Sequence, residues 1–137
     1  MSIQYYRGYV TPRSFGPYRM PIPLQNIIYR HSATTYDISL SVPSYEINEE
    51  GMFSGFYELL NWGSSDRGII LITTEMLPGS VDNKIDVLKR MRARNISVRF
   101  ILENLYVSKK NEYDLLEEVL FLTSLESRAD TLQDFLS

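Results

Sequence analysis

Arg7, Arg13, Arg19 and Arg30 all fall within the first 36 residues, with the only histidine, His31, and without a single aspartate or glutamate. Six of the ten tyrosines accompany them, around Arg7-Gly-Tyr-Val-Thr-Pro-Arg-Ser-Phe-Gly16 and Pro21-Ile-Pro-Leu-Gln-Asn26. Guanidinium forks and phenol hydroxyls are groups that hold a phosphate or a carboxylate. The same residues also describe a solvated basic face with tyrosines packed on a sheet. Each candidate therefore has two readings. Arg13 either binds an anion or pairs with Glu46 or Glu75. Ser14 beside it is a candidate nucleophile with no partnering base in view. Gln25 and Asn26 open a helix, where amides either cap the helix or read ligand hydroxyls. Arg30, one helical turn beyond Asn26, shares its face, and Tyr45 offers a ring for stacking. Glu46, Glu75 and Glu103 supply acid–base chemistry if burial raises a carboxyl pKa, and otherwise balance the arginines.

The elements that must position these groups alternate along the chain. Strands are predicted over Ile3–Val10, Asp37–Val42, Gly68–Thr74 and Ser97–Leu102, the third a continuous β-branched run of the kind buried on both faces. Helices are predicted over Leu24–Thr34, Met52–Trp62 and Val81–Arg94. The last has an apolar stripe of Val81, Ile85, Leu88 and Met91 and a solvated face carrying Lys84, Lys89, Arg90, Arg92 and Arg94. Gly63-Ser-Ser-Asp-Arg-Gly68 reads as a turn. A tail over Asn111–Leu136 has no proline or glycine to stop a helix. Its stripe of Leu116, Val119 and Leu120 continues through Leu125, Ala129, Leu132 and Leu136, so residues 111–137 serve either to cover the sheet or to join two copies as a homodimer.

Strand–helix alternation implies a three-layer α/β sandwich around a mostly parallel four-stranded sheet, in a single domain over 1–137. Ligands in such sheets bind beyond the carboxyl ends of the strands, where strand order reverses. With the order 2-1-3-4, Arg13, Ser14, Arg19, Tyr45, Glu46, Glu75 and Glu103 all fall on that rim.

Composition narrows the chemistry. The net charge is −3, and 44% of the 137 residues are hydrophobic, as in an ordinary globular domain. With no basic tail on an acidic chain, broad affinity for nucleic acid is not expected. No apolar run approaches the roughly 20 residues of a membrane span, and no basic and apolar blocks of a secretory signal open the chain, so the cytoplasm is the expected compartment. The absence of cysteine removes disulfides and thiolate chemistry. His31 reads as a surface residue. No metal cluster and no cofactor motif is visible.

Two resemblances meet at these residues. Arg7-Gly-Tyr-Val-Thr-Pro-Arg-Ser14, Ile69–Ser80 followed by Val81–Arg94, and Phe100-Ile-Leu-Glu-Asn104 with a long helix after it resemble the catalytic domain of the serine recombinases. The loop Thr74-Glu-Met-Leu-Pro-Gly-Ser80 lacks the two arginines of that family's pattern, which would hold the scissile phosphate. The resemblance thus implies the fold and not strand exchange. The chain also resembles the sporadic carbohydrate-cluster proteins of bacterial polysaccharide and sugar gene clusters. The matching pieces are Arg7-Gly-Tyr9, Arg13, Pro23-Leu-Gln-Asn26 with Arg30, Ser41 to Tyr45-Glu46, Leu77-Pro78 and Leu102-Glu103.

That second resemblance implies a role in making or modifying a sugar. The expectation is a protein that binds a phosphorylated or nucleotide-linked sugar without a cofactor. Arg7, Arg13, Ser14, Arg19, Gln25, Asn26, Arg30, Tyr45 and Glu103 would surround the ligand, with Glu46 or Glu75 as the acid–base group of any isomerase, epimerase or lyase step. The alternatives are a non-catalytic partner of glycosyltransferases and a degenerate recombinase-like protein that still binds DNA.

Overall fold

The computed structural model describes residues 5–46 and 53–136, residues 81 and 124–136 by their backbone alone. The predicted strand start at Ile3 and helix start at Met52 lie outside the described residues, as do the side chains of Val81, Leu125, Ala129, Leu132 and Leu136. The strands are β1 (Tyr5–Val10), β2 (Ser39–Leu40), β3 (Ser44–Tyr45), β4 (Arg67–Leu71), β5 (Val98–Phe100) and β6 (Leu105–Val107). The helices are α1 (Ile22–Tyr36), α2 (Ser54–Trp62), α3 (Val81–Ala93) and α4 (Lys110–Leu136), with a 3-10 turn at Thr74–Met76.

The sheet runs β2-β1-β4-β5-β6, and β3 also pairs with β1. The four predicted strands correspond to β1, β2, β4 and β5, are mutually parallel, and lie in the predicted order. Two short strands extend the four-stranded expectation. β6 returns antiparallel beside β5 through a tight turn in which Asn104 adopts φ 50°, a left-handed geometry that asparagine tolerates.

Alternation along β1 sorts its residues between two helical layers. Gly8 faces α1, where the Tyr29 ring lies 3.1 Å from the place a Cβ would occupy. Arg7 and Tyr9 face α2, pairing with Glu58 and packing edge-on against Phe56. The core between the layers is built from Ile69, Ile70, Leu71 and Ile72 of the central run with Tyr9, Phe56, Leu59, Leu88 and Met91.

Helix ends follow local chemistry. α1 begins on Pro21-Ile-Pro23, prolines being tolerated where the N–H groups have no partner anyway. It stops at Asp37, φ 53°, with the Ile38 N–H donating back to the Ala33 carbonyl at 3.0 Å. The Glu112 carboxylate accepts the Ser108 and Lys109 N–H groups at 3.2 and 2.8 Å and opens α4. The basic face of α3, predicted to be solvated, is solvated only in part. Arg94 donates to the Leu60 and Asn61 carbonyls at 2.7 and 3.0 Å, closing the end of α2, and Arg92 pairs with Asp114 of α4. On α4, Tyr113 and Leu116 are buried while Leu115, Val119, Phe121 and Leu122 stay about half exposed.

Candidate functional site

The predicted rim separates into groups already committed to the fold and groups that remain open. Glu46 is committed. Its buried carboxylate accepts the Tyr9 hydroxyl at 2.5 Å, the Gly55 and Phe56 N–H groups at 3.0 and 3.3 Å, and the Ser54 hydroxyl at 3.3 Å. Gly55 and Phe56 stand in the first turn of α2, whose N–H groups have no partner within the helix, and a carboxylate there also meets the positive end of the helix dipole. The loop after β1 joins this network. The Arg13 guanidinium donates to the Tyr9 hydroxyl at 3.4 Å and stacks 4.6 Å above the Phe53 ring. Burial, and next the hydrogen bond to Glu46, push the Tyr9 phenol well above its usual range.

Glu103 holds the 3-10 turn, its Oε2 accepting the Thr73 and Thr74 hydroxyls at 2.8 Å each and the Thr74 N–H at 2.9 Å. Glu75 meets Lys84 at 3.6 Å and lies against the loop after β1, where a Cβ on Gly16 would be 2.6 Å from its Oε2. The buried Gln25 amide is fully used: it accepts the Thr11 N–H at 3.1 Å and donates to the Thr11 and Met20 carbonyls at 2.8 Å each. It fastens both ends of that loop to α1. Arg7 donates to the Val42 carbonyl at 2.8 Å and pairs with Glu58 at 3.1 Å. Ser14 is exposed at the loop. Arg19 lines a separate groove of about 460 Å3 with Pro12, Met20, Pro21 and Ile22.

Asn26, Arg30 and Tyr45 come together. With Gly8, Tyr29, Leu40, Ser41 and Pro43 they line a cleft of about 350 Å3. The sequence explains its shape. Tyr6 pairs with Leu40 and Tyr9 with Ser44, so the two β1 residues between those pairs face three, Ser41, Val42 and Pro43, in the opposing chain. The extra residue makes the chain bow outward, and Pro43 has no N–H to close the ladder. Gly8 forms the floor beneath the bow. Its missing side chain lets the Tyr29 ring lie flat on β1, where the hydroxyl donates to the Tyr9 carbonyl at 2.6 Å. Asn26, Tyr29 and Arg30, at spacings of three and four, present one helix face to this space.

Arg30 is the charged group of the cleft. Its Nε makes a long contact of 3.4 Å to the Asn26 carbonyl, and among the described residues it has no ion pair. Among the described residues no carboxylate lines the cleft. Tyr45 is half exposed at the mouth. Asn26, Arg30 and Tyr45 are among the ligand residues expected from the sequence, and the fold brings them to one cleft. Sequence reasoning missed the bow at Ser41–Pro43, for which the proline inside an alternating strand pattern was the available signal.

Two solved structures share this architecture. The N-terminal catalytic domain of TP901-1 integrase superposes with a TM-score of 0.67 at 14% identity, covering 92% of this chain and 98% of that one. A resolvase family site-specific recombinase from Streptococcus pneumoniae superposes with a TM-score of 0.69 at 12% identity, covering 97% and 93%. At these identities the likeness is one of fold. No protein-family model matches the sequence, and no curated protein does. Among the described residues, no group of three histidines or acids is placed to hold a metal ion, and no helix is long and apolar enough to cross a membrane.

Proposed function

We propose that this protein binds a phosphorylated sugar in the cleft between α1 and the bowed β2–β3 segment, in the service of carbohydrate biosynthesis. The observation that carries the reading is Arg30: among the described residues it has no ion pair, and it stands beside Asn26, Ser41 and Tyr45 in a cleft that no described carboxylate lines. Its fork suits a phosphate, Asn26 and Ser41 supply hydroxyl-reading groups, and the Tyr45 ring can lie on a pyranose face. At about 350 Å3 the space stands at the small end of ligand sites, which favours a sugar monophosphate over a whole nucleotide-linked sugar. Glu46 and Glu75 stand outside the cleft, so the reading is one of binding, with no acid–base step assigned there.

Thermal-shift measurements across hexose phosphates, free sugars and nucleotide sugars test this. A ligand at 100 times its Kd stabilises by about 2.7 kcal/mol. The stabilisation by a hexose phosphate should exceed that by glycerol phosphate, and the excess should disappear in Arg30→Ala. A shift unchanged in Arg30→Ala would place the ligand elsewhere.

A second reading, a partner or scaffold for pathway enzymes, is favoured by one observation. Leu115, Val119 and Leu122 form an i, i+4, i+7 stripe on α4 and are each 50% exposed or more, an apolar face that suits a second copy or another helix.

A further inference from the structure

Arg99 stands in the middle of β5, opposite Ile70 of β4 and Tyr106 of β6. Its guanidinium carbon is 4.4 Å from the centroid of the Tyr106 ring, 4.6 Å from that of Tyr36 and 5.8 Å from that of Tyr6. The three rings come from β6, the last residue of α1, and β1. A glycine makes the arrangement possible. Gly68 lies opposite Tyr6 on β4, and a Cβ there would come within 2.5 Å of the Tyr6 ring. Any larger residue would push that ring off the strand it crosses on its way toward Arg99.

A charged group held this way is ordinarily paired with an acid. Among the described residues Arg99 has no ion pair, and its buried Nε donates to nothing. The π faces offset part of the charge and fix the plane of the fork. Hydroxyls gather around the same spot: Ser97 bonds Ser108 at 3.2 Å and Tyr36 bonds Asn104 at 3.3 Å. Burial pushes the Tyr106 phenol up, but hydrogen bonds with Ser97, Ser108 and Tyr6 and the charge of Arg99 bring it below its usual value. Tyr6, which also hydrogen-bonds Arg99, is pushed up by its burial and by Tyr106, so the site favours negative charge on the Tyr106 side of the cage. None of these groups lines the Arg30 cleft.

We propose that Arg99, in its cage of Tyr6, Tyr36 and Tyr106, is a second anion site, which takes a phosphate group through the terminal nitrogens of the guanidinium. The phosphate is either free or part of a phosphate monoester. A fork already flattened between rings loses little freedom on binding, which is the condition for holding a small anion well.

NMR of the arginine side-chain Nε–H groups tests the proposal on the full chain. The Arg99 signal is assigned through its own backbone. Inorganic phosphate, and then glycerol phosphate, is titrated at constant ionic strength. A saturable shift of the Arg99 signal is expected in the wild type and equally in Arg30→Ala. The tighter of the two probes identifies the source, free phosphate or a monoester. In Arg99→Lys, which keeps the charge and loses the fork, phosphate affinity read at the Tyr106 amide should fall about tenfold. A wild-type Arg99 signal that does not saturate, or that moves equally with chloride, overturns the proposal and leaves Arg99 as a strut between strands. That wild-type result decides the matter even if Arg99→Lys fails to fold.

Discussion

Glu46→Gln separates a carboxylate that holds the fold from one that works on a ligand. Among the described residues four donors converge on it: the Tyr9 hydroxyl, the Gly55 and Phe56 N–H groups and the Ser54 hydroxyl. Glutamine has the same shape, but one of its two terminal positions is an NH2. Tyr9 and Phe56 approach one oxygen, Gly55 and Ser54 the other. Whichever way the amide turns, its NH2 confronts one backbone N–H, which can only donate, and one hydroxyl, which must reverse to accept. The charge that strengthened all four bonds is also gone. Weakening these charge-assisted bonds and leaving one buried N–H unmatched costs about 2–4 kcal/mol. That is a large share of the roughly 5–15 kcal/mol that holds a domain together.

Urea denaturation measures the effect directly, as a fall in midpoint at an unchanged slope. A double-mutant cycle with Tyr9→Phe should return a coupling of about 1 kcal/mol or more, since the two side chains share a bond. Ligand binding in the Arg30 cleft should survive under conditions where the variant is folded. A stability loss below about 0.5 kcal/mol, the range of ordinary surface changes, would refute the structural role. So would an intact fold that has lost its ligand.

Three further outcomes follow from the same geometry. Burial holds the Tyr9, Tyr29 and Tyr113 phenols above their usual value of 10.0, so the unfolded chain releases these protons first. Stability should be constant in these groups below pH 10 and fall above it by about 4 kcal/mol per pH unit for three tyrosines; equilibrium unfolding of wild type and Tyr29→Phe should differ in that slope by one proton. Gly16→Ala places a Cβ 2.6 Å from the Glu75 carboxylate at φ 58°, and should lower stability by about 1–2 kcal/mol in the same urea assay. Val119→Asp with Leu122→Asp should leave the circular dichroism spectrum unchanged and abolish any self-association seen by light scattering; association that persists would move the contact away from this face of α4.

Much of the fold was legible in the sequence because the strongest signals sit in its centre. The Gly68–Ile72 run is continuous and β-branched, and all of it is buried. Leu88 and Met91 mark the inner face of α3 by spacing alone. Strand–helix alternation predicts that β1, β2, β4 and β5 pair in parallel, and the order supposed for them matches. β3 and β6 were not legible, since two or three residues carry no period. The site was legible only in part. Residue type drew attention to Glu46, Glu103 and Gln25 as ligand or acid–base groups, but each is engaged by hydroxyl and backbone groups 5 to 37 positions away, which no local pattern reveals. Arg30 was found because its i, i+4 relation to Asn26 is local. Arg99 carries no local signal, because its cage assembles from β1, α1 and β6 only on folding.

The most direct measurement is isothermal titration of a hexose phosphate into wild type and Arg30→Ala, with Arg13→Ala as the control outside the cleft. Saturable binding that follows the phosphate, is retained in Arg13→Ala and weakens at least about tenfold in Arg30→Ala would establish the cleft as the sugar-phosphate site. Binding unaffected by the loss of Arg30, or no binding by any sugar phosphate, would contradict it.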